Sequence, residues 1–237
     1  MVAFDLTTAQ SLEELSNLTS NYISDLIRSR LKQKDRVQIA LSGGSTPCDS
    51  YLLLRQESLS WDRVDVLLGD ERWVSQLDES SNALMLRQTL LASGPGAKAC
   101  FHPTPTLECD TPEDSANKFS KIISDLCKGS PPVFDLILLG LGEDGDTASL
   151  FPGTDSLNVK DAFTTVGRGK GLERITLTAN VISAATKVIF LVSGESKQVA
   201  LKRLLDPDEP YRRTPARLIR PDSEILIFAD RTASKFI

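Results

Sequence analysis

The chain has 237 residues, 41% hydrophobic and 25% charged, enough apolar material to fold around a sizeable core. Its formal net charge of −5 argues against a partner built on a phosphate backbone or an anionic bilayer, so neither nucleic acid nor a membrane is expected. No apolar run reaches the ~18–20 residues of a membrane span and residues 1–10 lack the basic and apolar regions of a signal peptide; the expectation is a cytoplasmic protein with one domain over 1–237.

Residues 2–6 suit a short strand. Leu12, Leu15, Leu18, Tyr22, Ile23, Leu26, Ile27 and Leu31 then recur at helical spacing through a segment free of Gly and Pro. A second strand at 37–41 runs into Ser42-Gly43-Gly44-Ser45-Thr46-Pro47. Its glycines permit a tight turn, Ser45 or Thr46 can cap a helix over 48–55, and the converging backbone N–H groups suit an anion. A plain strand-to-helix connection fits the turn equally well.

A strand at 64–68 follows, ending in Gly69-Asp70-Glu71-Arg72-Trp73-Val74. Charged residues at the carboxyl end of a strand lie where open α/β sheets bind ligands, which nominates Arg72 for phosphate; a salt bridge with Asp70 or Glu71 is the alternative. Ser81-Asn82 opens another helix, closed by the breakers at 93–96. The only histidine, His102, sits in a proline-rich connection without metal-ligand spacing and reads as structural, and Cys48, Cys100, Cys109 and Cys127 form no C-x-x-C pair and read as reduced thiols. A helix over 112–127 leads to a strand at 134–139.

The next stretch, Gly140-Leu141-Gly142-Glu143-Asp144-Gly145-Asp146-Thr147-Ala148-Ser149-Leu150-Phe151-Pro152, reads as a strand turning through three glycines into a short helical start. Its glycines satisfy G-x-G-x-x-G, but Glu143 and Asp144 would face a pyrophosphate, and the acid that should close a following strand is missing. As a P-loop it fails because Asp146 stands where the lysine belongs. Residues 153–171 read as a polar loop near the site, 174–178 as a short strand, and 179–185 as a brief helical turn. A strand at 187–192 gives way to Ser193-Gly194-Glu195-Ser196-Lys197 and a helix to about 205. A lysine in the first helical turn gains nothing from the macrodipole, which suggests a held anion, with a snorkelling surface lysine as the alternative. Residues 214–219 look extended, and 224–229 form the last strand. The alternation implies a doubly wound, mainly parallel α/β sheet with helices on both faces, Rossmann-like in type.

Taken together, Leu-Ser-Gly-Gly-Ser-Thr-Pro at 41–47, Asp-Glu-Arg-Trp-Val at 70–74, Ser-Asn at 81–82, the run at 140–152 and Val-Ser-Gly-x-x-Lys at 192–197 resemble the 6-phosphogluconolactonase family, related to the glucosamine-6-phosphate deaminase and isomerase group. The resemblance spans nearly the whole chain in order. It implies cofactor-free hydrolysis of a sugar-phosphate lactone, with the phosphate on Gly43, Gly44, Ser45, Thr46, Arg72 and Lys197, and with Asp70, Gly142 and Gly145 touching substrate or supporting the site. Lactonases of the family usually carry a histidine base where this chain has Asp146. A carboxylate of reference pKa ~3.9 is a weaker base than an imidazole near ~6.5, unless crowding by Glu143 and Asp144 raises it. Asp146 is therefore the expected base, with Asp144 orienting it or a water; a helix cap is the alternative role for Asp146. The competing functions are a silent phosphosugar-binding protein and a sugar-phosphate deaminase or isomerase. A monomer or weak homo-oligomer is expected.

Overall fold

A computed structural model describes residues 3–237; Val2, at the start of the expected first strand, lies outside the described residues. Seven strands form one sheet in the order β1 (Phe4–Ala9), β10 (Ile225–Asp230), β9 (Val188–Val192), β6 (Leu136–Gly140), β2 (Val37–Leu41), β3 (Val64–Leu68) and β5 (Cys100–Phe101). Every pairing in it is parallel. The central strands β2, β3 and β9 are buried at all five positions, which explains their unbroken apolar runs.

Helices cover both faces. On one side α1 (Leu12–Leu31), α2 (Cys48–Leu54) and α3 (Asn82–Gln88) pack Leu15, Ile23, Ile27, Tyr51, Leu54 and Leu86 onto the sheet. On the other, α4 (Pro112–Leu126), α5 (Ala179–Ser183) and α6 (Gln198–Leu205) contribute Phe119, Ile123, Ile182, Leu201 and Leu204. Among the described residues no helix is long and apolar enough to cross a membrane.

The expected doubly wound sheet is present, but it is accompanied by a second, antiparallel one. Strands β4 (Asp70–Arg72), β8 (Leu172–Leu177) and β7 (Thr164–Gly169) form a three-stranded sheet. The later part of the expected loop at 153–171 is therefore β7 and the turn of a hairpin. Its Thr-Thr-Val-Gly-Arg-Gly sequence lacks the apolar run by which the buried parallel strands are recognised. The segment at 214–219 is likewise not extended, since Pro215–Leu218 makes a 3₁₀ turn.

At the amino-terminal edge of the main sheet lies a buried charge network. Asp65 accepts from Arg36 Nε at 2.9 Å and Gln38 Nε2 at 3.0 Å, and pairs with His102 Nε2 at 2.9 Å, so the lone histidine is structural as expected. Asp135 accepts from Arg30 Nε at 2.7 Å, Lys34 Nζ at 2.8 Å and the backbone of Gln38 at 2.9 Å. Burial pushes the Asp65 carboxyl up, but hydrogen bonds from His102, Arg36 and Gln38 outweigh it and hold the group well below the usual carboxylate range. A carboxyl with a depressed folded-state value stabilises the fold above its unfolded value, near ~4, and loses that contribution as pH falls further. Asp65→Asn is expected to cost about 2 kcal/mol in urea unfolding at neutral pH, with the gap to the parent narrowing as pH drops below about 4.

Candidate active site

Strand order reverses between β2 and β6: the chain runs outward through β2, β3 and β5, then returns to β6 and continues through β9 and β10 to the other side. The carboxyl ends of neighbouring strands at such a reversal leave a crevice with no strand to fill it. Here the segments following β9, β6, β2 and β3 line a cleft of about 340 Å³. Its walls bring together Gly43, Gly44, Ser45, Thr46, Asp70, Arg72, Gly142, Asp146 and Lys197, all expected from the sequence. Gly145 is buried beneath the turn against Thr214, and Asp144 lies on the rim, where with Glu143, Lys170 and Lys197 it borders a smaller depression.

The turn after β2 differs in one detail from the expectation. Pro47 is the N-cap of helix α2, and neither Ser45 nor Thr46 caps it with its side chain. Among the described residues, the N–H groups of Gly44, Ser45 and Thr46 have no backbone partner, so they remain free donors. Gly43 must lack a side chain because a Cβ there would lie 1.9 Å from Asn82 Oδ1. Asn82 is held in turn by a 2.8 Å bond from its Nδ2 to the Asp70 carbonyl.

The anchor behind Arg72 is Glu71, whose role the sequence did not reveal. Its fully buried carboxylate accepts from the backbone N–H groups of Arg72 and Asn82 at 2.8 Å each, from that of Ala83 at 2.7 Å and from Ser81 Oγ at 3.1 Å. It thereby satisfies the open first turn of α3 and ties that helix to β4. Burial raises its carboxyl, against backbone bonds that lower it. Arg72 makes no salt bridge with Asp70 or Glu71; its guanidinium donates to the Ser80 carbonyl, and its buried Nε has no partner. Arg174 faces Arg72 across the β4–β8 pairing, and its buried Nε is also unpartnered. Burial lowers the Arg174 guanidinium, Asp70 raises it and neighbouring Arg72 lowers it. Two adjacent guanidiniums with spare buried donors make a cationic wall that an anion would satisfy.

The stretch after β6 does not become a helix, so the helix-cap alternative for Asp146 falls away. Gly142 N–H donates to the Asp146 carbonyl at 2.8 Å and Gly145 N–H to the Gly142 carbonyl at 3.0 Å, closing a tight loop. Thr147 Oγ1 then bonds the Gly140 carbonyl at 2.8 Å, Ala148 takes a left-handed φ of 47°, and Thr147 bridges Leu150. The position before Pro152 also disfavours helical backbone. Asp146 ends up 6% exposed, its carboxylate so close over Gly142 that a Cβ there would sit 1.4 Å from Oδ1. Burial, then the adjoining Asp144 carboxyl, push the Asp146 carboxyl up to about 6 although Lys170 draws it down; Asp144 is lowered through its hydrogen bond with Asp146.

Lys170, Arg174 and Phe151 also line the cleft, and the sequence reading nominated none of them. Their convergence depends on the pairing of β4 with β8, about a hundred residues apart in the chain. The paired arginines on β4 and β8 are a signal visible only once that pairing is known.

A model of the glucosamine-6-phosphate isomerase and 6-phosphogluconolactonase family matches residues 10–228. The chain belongs to this family. It is 39% identical over 216 residues to 6-phosphogluconolactonase of Synechocystis, covering 90% of each chain, and 40% identical over 216 residues to that of Nostoc, covering 88% of this chain and 90% of the relative. The solved structure of 6-phosphogluconolactonase from Trypanosoma brucei superposes with a TM-score of 0.88 at 27% identity, covering 99% of both chains.

Replacing Glu71 by Gln puts an amide donor against backbone N–H groups and removes the charge that they bind. Glu71→Gln is expected to lower stability by about 2 kcal/mol in chemical denaturation and to speed amide hydrogen exchange at Asn82 and Ala83.

Proposed function

We propose that this chain hydrolyses 6-phosphoglucono-1,5-lactone to 6-phosphogluconate, with Asp146 as the general base. The names of its relatives support the reaction. The observation that carries the assignment of the base is one buried carboxyl with a raised pKa, in a cleft otherwise furnished for an anion. The substrate's phosphate goes to the free N–H groups of the turn at 43–46, to Arg72 and to Lys197, which makes no salt bridge among the described residues. Anchoring that end, away from the ester, positions the lactone carbonyl over the glycine turn.

In this mechanism the Asp146 carboxylate takes a proton from water as the water oxygen bonds to C1. The bond from C1 to the ring oxygen then breaks, and the protonated Asp146 gives its proton to that oxygen. The carboxylate is regenerated and the ring opens to the acid, which ionises at neutral pH. Asp144 accepts a hydrogen bond from the protonated form of its neighbour. Asp70, which takes a 2.5 Å hydrogen bond from Ser149 Oγ and lies 3.9 Å from Arg174, supports the wall facing the base.

A base must be unprotonated to act, so activity should hold above the Asp146 value and fall below it. With that value at about 6, kcat/KM measured above the spontaneous rate should fall along an acid limb centred near pH 6. Asp146→Asn is expected to reduce kcat at least about a hundredfold with little change in KM. Hydrolysis by that variant at the parent's rate would rule out Asp146 as the base.

A further inference from the structure

We propose that Lys170 is a positioning residue of the hydrolytic centre: carried into the cleft at the tip of the β7–β8 hairpin, its ammonium holds the Asp146 carboxylate ionised and in the rotamer that faces the substrate. The inference rests on the reading of Asp146 as the base.

Three features of the hairpin converge on this role. First, Lys170 Nζ lies 2.9 Å from both oxygens of Asp146 and 3.4 Å from Asp144 Oδ1, and it is the only cation in salt-bridge contact with Asp146 among the described residues. Second, Lys170 and Gly171 form the two-residue turn between the paired Gly169 and Leu172, with φ of 55° and 79°. A tight hairpin turn of this hand favours Asn or Gly at its first position, and a lysine adopts the left-handed conformation less readily. Turn formation alone therefore does not account for a lysine here. Third, the hairpin is docked closely enough to aim that side chain. A Cβ on Gly169 would lie 2.5 Å from the ring of Phe151, which is 4% exposed, and Lys170 Nζ sits 5.3 Å from the centre of the same ring.

The other charges around Asp146 do not substitute for Lys170. Asp144, from its own turn, opposes its ionisation, and Glu143 on the same turn adds no positive charge. Arg174 on β8 attracts Asp146 at longer range but makes its ion-pair contact with Asp70 at 3.9 Å and is stacked 5.6 Å from the centre of the Phe151 ring, while Lys197 approaches from the β9–α6 junction without pairing to Asp146. Asp70 and Glu71 on β4 add no positive charge. A buried carboxyl beside a second carboxyl would gain a proton readily, and an ammonium straddling its oxygens opposes that.

The test is the pH dependence of kcat/KM for Lys170→Met and Lys170→Arg, measured above the spontaneous lactone hydrolysis. In Lys170→Met the acid limb should move up by about one pH unit, a roughly fivefold loss at pH 6 beyond any loss at pH 8, while Lys170→Arg keeps the charge and the parent's limb. A lysine that merely braced the hairpin would lower the melting temperature and the rate alike at every pH, with the limb unmoved. An unmoved limb in Lys170→Met, or an equal displacement in both variants, overturns the proposal. Asp146→Asn measured alongside separates the two claims. If it is inactive while the limb stays put, the Lys170 role alone fails; if it hydrolyses at the parent's rate, the base assignment fails and this inference with it.

Discussion

Beyond the carboxyl ends of β2 and β6 the strands diverge, and the backbone there has no neighbouring ladder to complete. That constraint shapes the site. The register sets Ile39 beside Leu136 and Gly140 beside Leu191, so the turns after β2, β6 and β9 leave the sheet within a few residues of one another and line one cleft. Donors that would be unsatisfied in a core become available to a ligand instead. The apolar strands below are buried on both faces and hold the three turns in place.

Charge is divided between the two edges of the same sheet. At the amino-terminal edge each buried carboxylate is matched: Asp65 by Arg36, Gln38 and His102, and Asp135 by Arg30, Lys34 and a backbone N–H. At the opposite edge Glu71 is answered by three backbone donors and a hydroxyl and serves as an internal cap, and Asp230 at the end of β10 is answered by Ser193 Oγ and the backbone N–H groups of Gly194 and Ala233. Around Glu71 the balance is left open. Arg72 and Arg174 keep buried donors without acceptors, and Asp146 shares one ammonium with Asp144. Satisfied charges fix a fold, whereas incompletely satisfied ones are ready to bind or to exchange a proton.

The legible parts of the sequence were those whose physics is local. Apolar runs at 37–41, 64–68 and 187–192 end in glycine turns, and both signals lie within a few residues, so the parallel strands and three walls of the cleft could be read directly. The β7–β8 hairpin could be read only in half. The expected strand at 174–178 matches most of β8, but β7 is polar and glycine-bearing, the partner β4 is three residues long, and the pairing that aligns Arg72 with Arg174 spans about a hundred residues. The expected helix after Gly145 failed for a related reason: Thr147 spends its hydroxyl on the Gly140 carbonyl, and the chain folds back at Ala148 rather than continuing in a helical ladder.

On the proposed reading, a carboxylate that acts as the base where the family resemblance leads one to expect an imidazole faces two opposing demands. In water it would be too weak a base to take a proton efficiently, so its affinity for protons must rise; raised without limit, it would be protonated before substrate arrived. Burial and Asp144 act in the first direction, and Lys170 acts in the second. An imidazole needs no such balancing, because its ordinary value already lies near neutral pH. An aspartate is also shorter, and the close seat over Gly142 fixes where its oxygens can reach. On the proposed reading, exchanging the base therefore shifts part of the work from one side chain to its surroundings. The hairpin, of which the sequence disclosed only the second strand, then becomes as much a part of the reacting centre as the glycine turn that announced it.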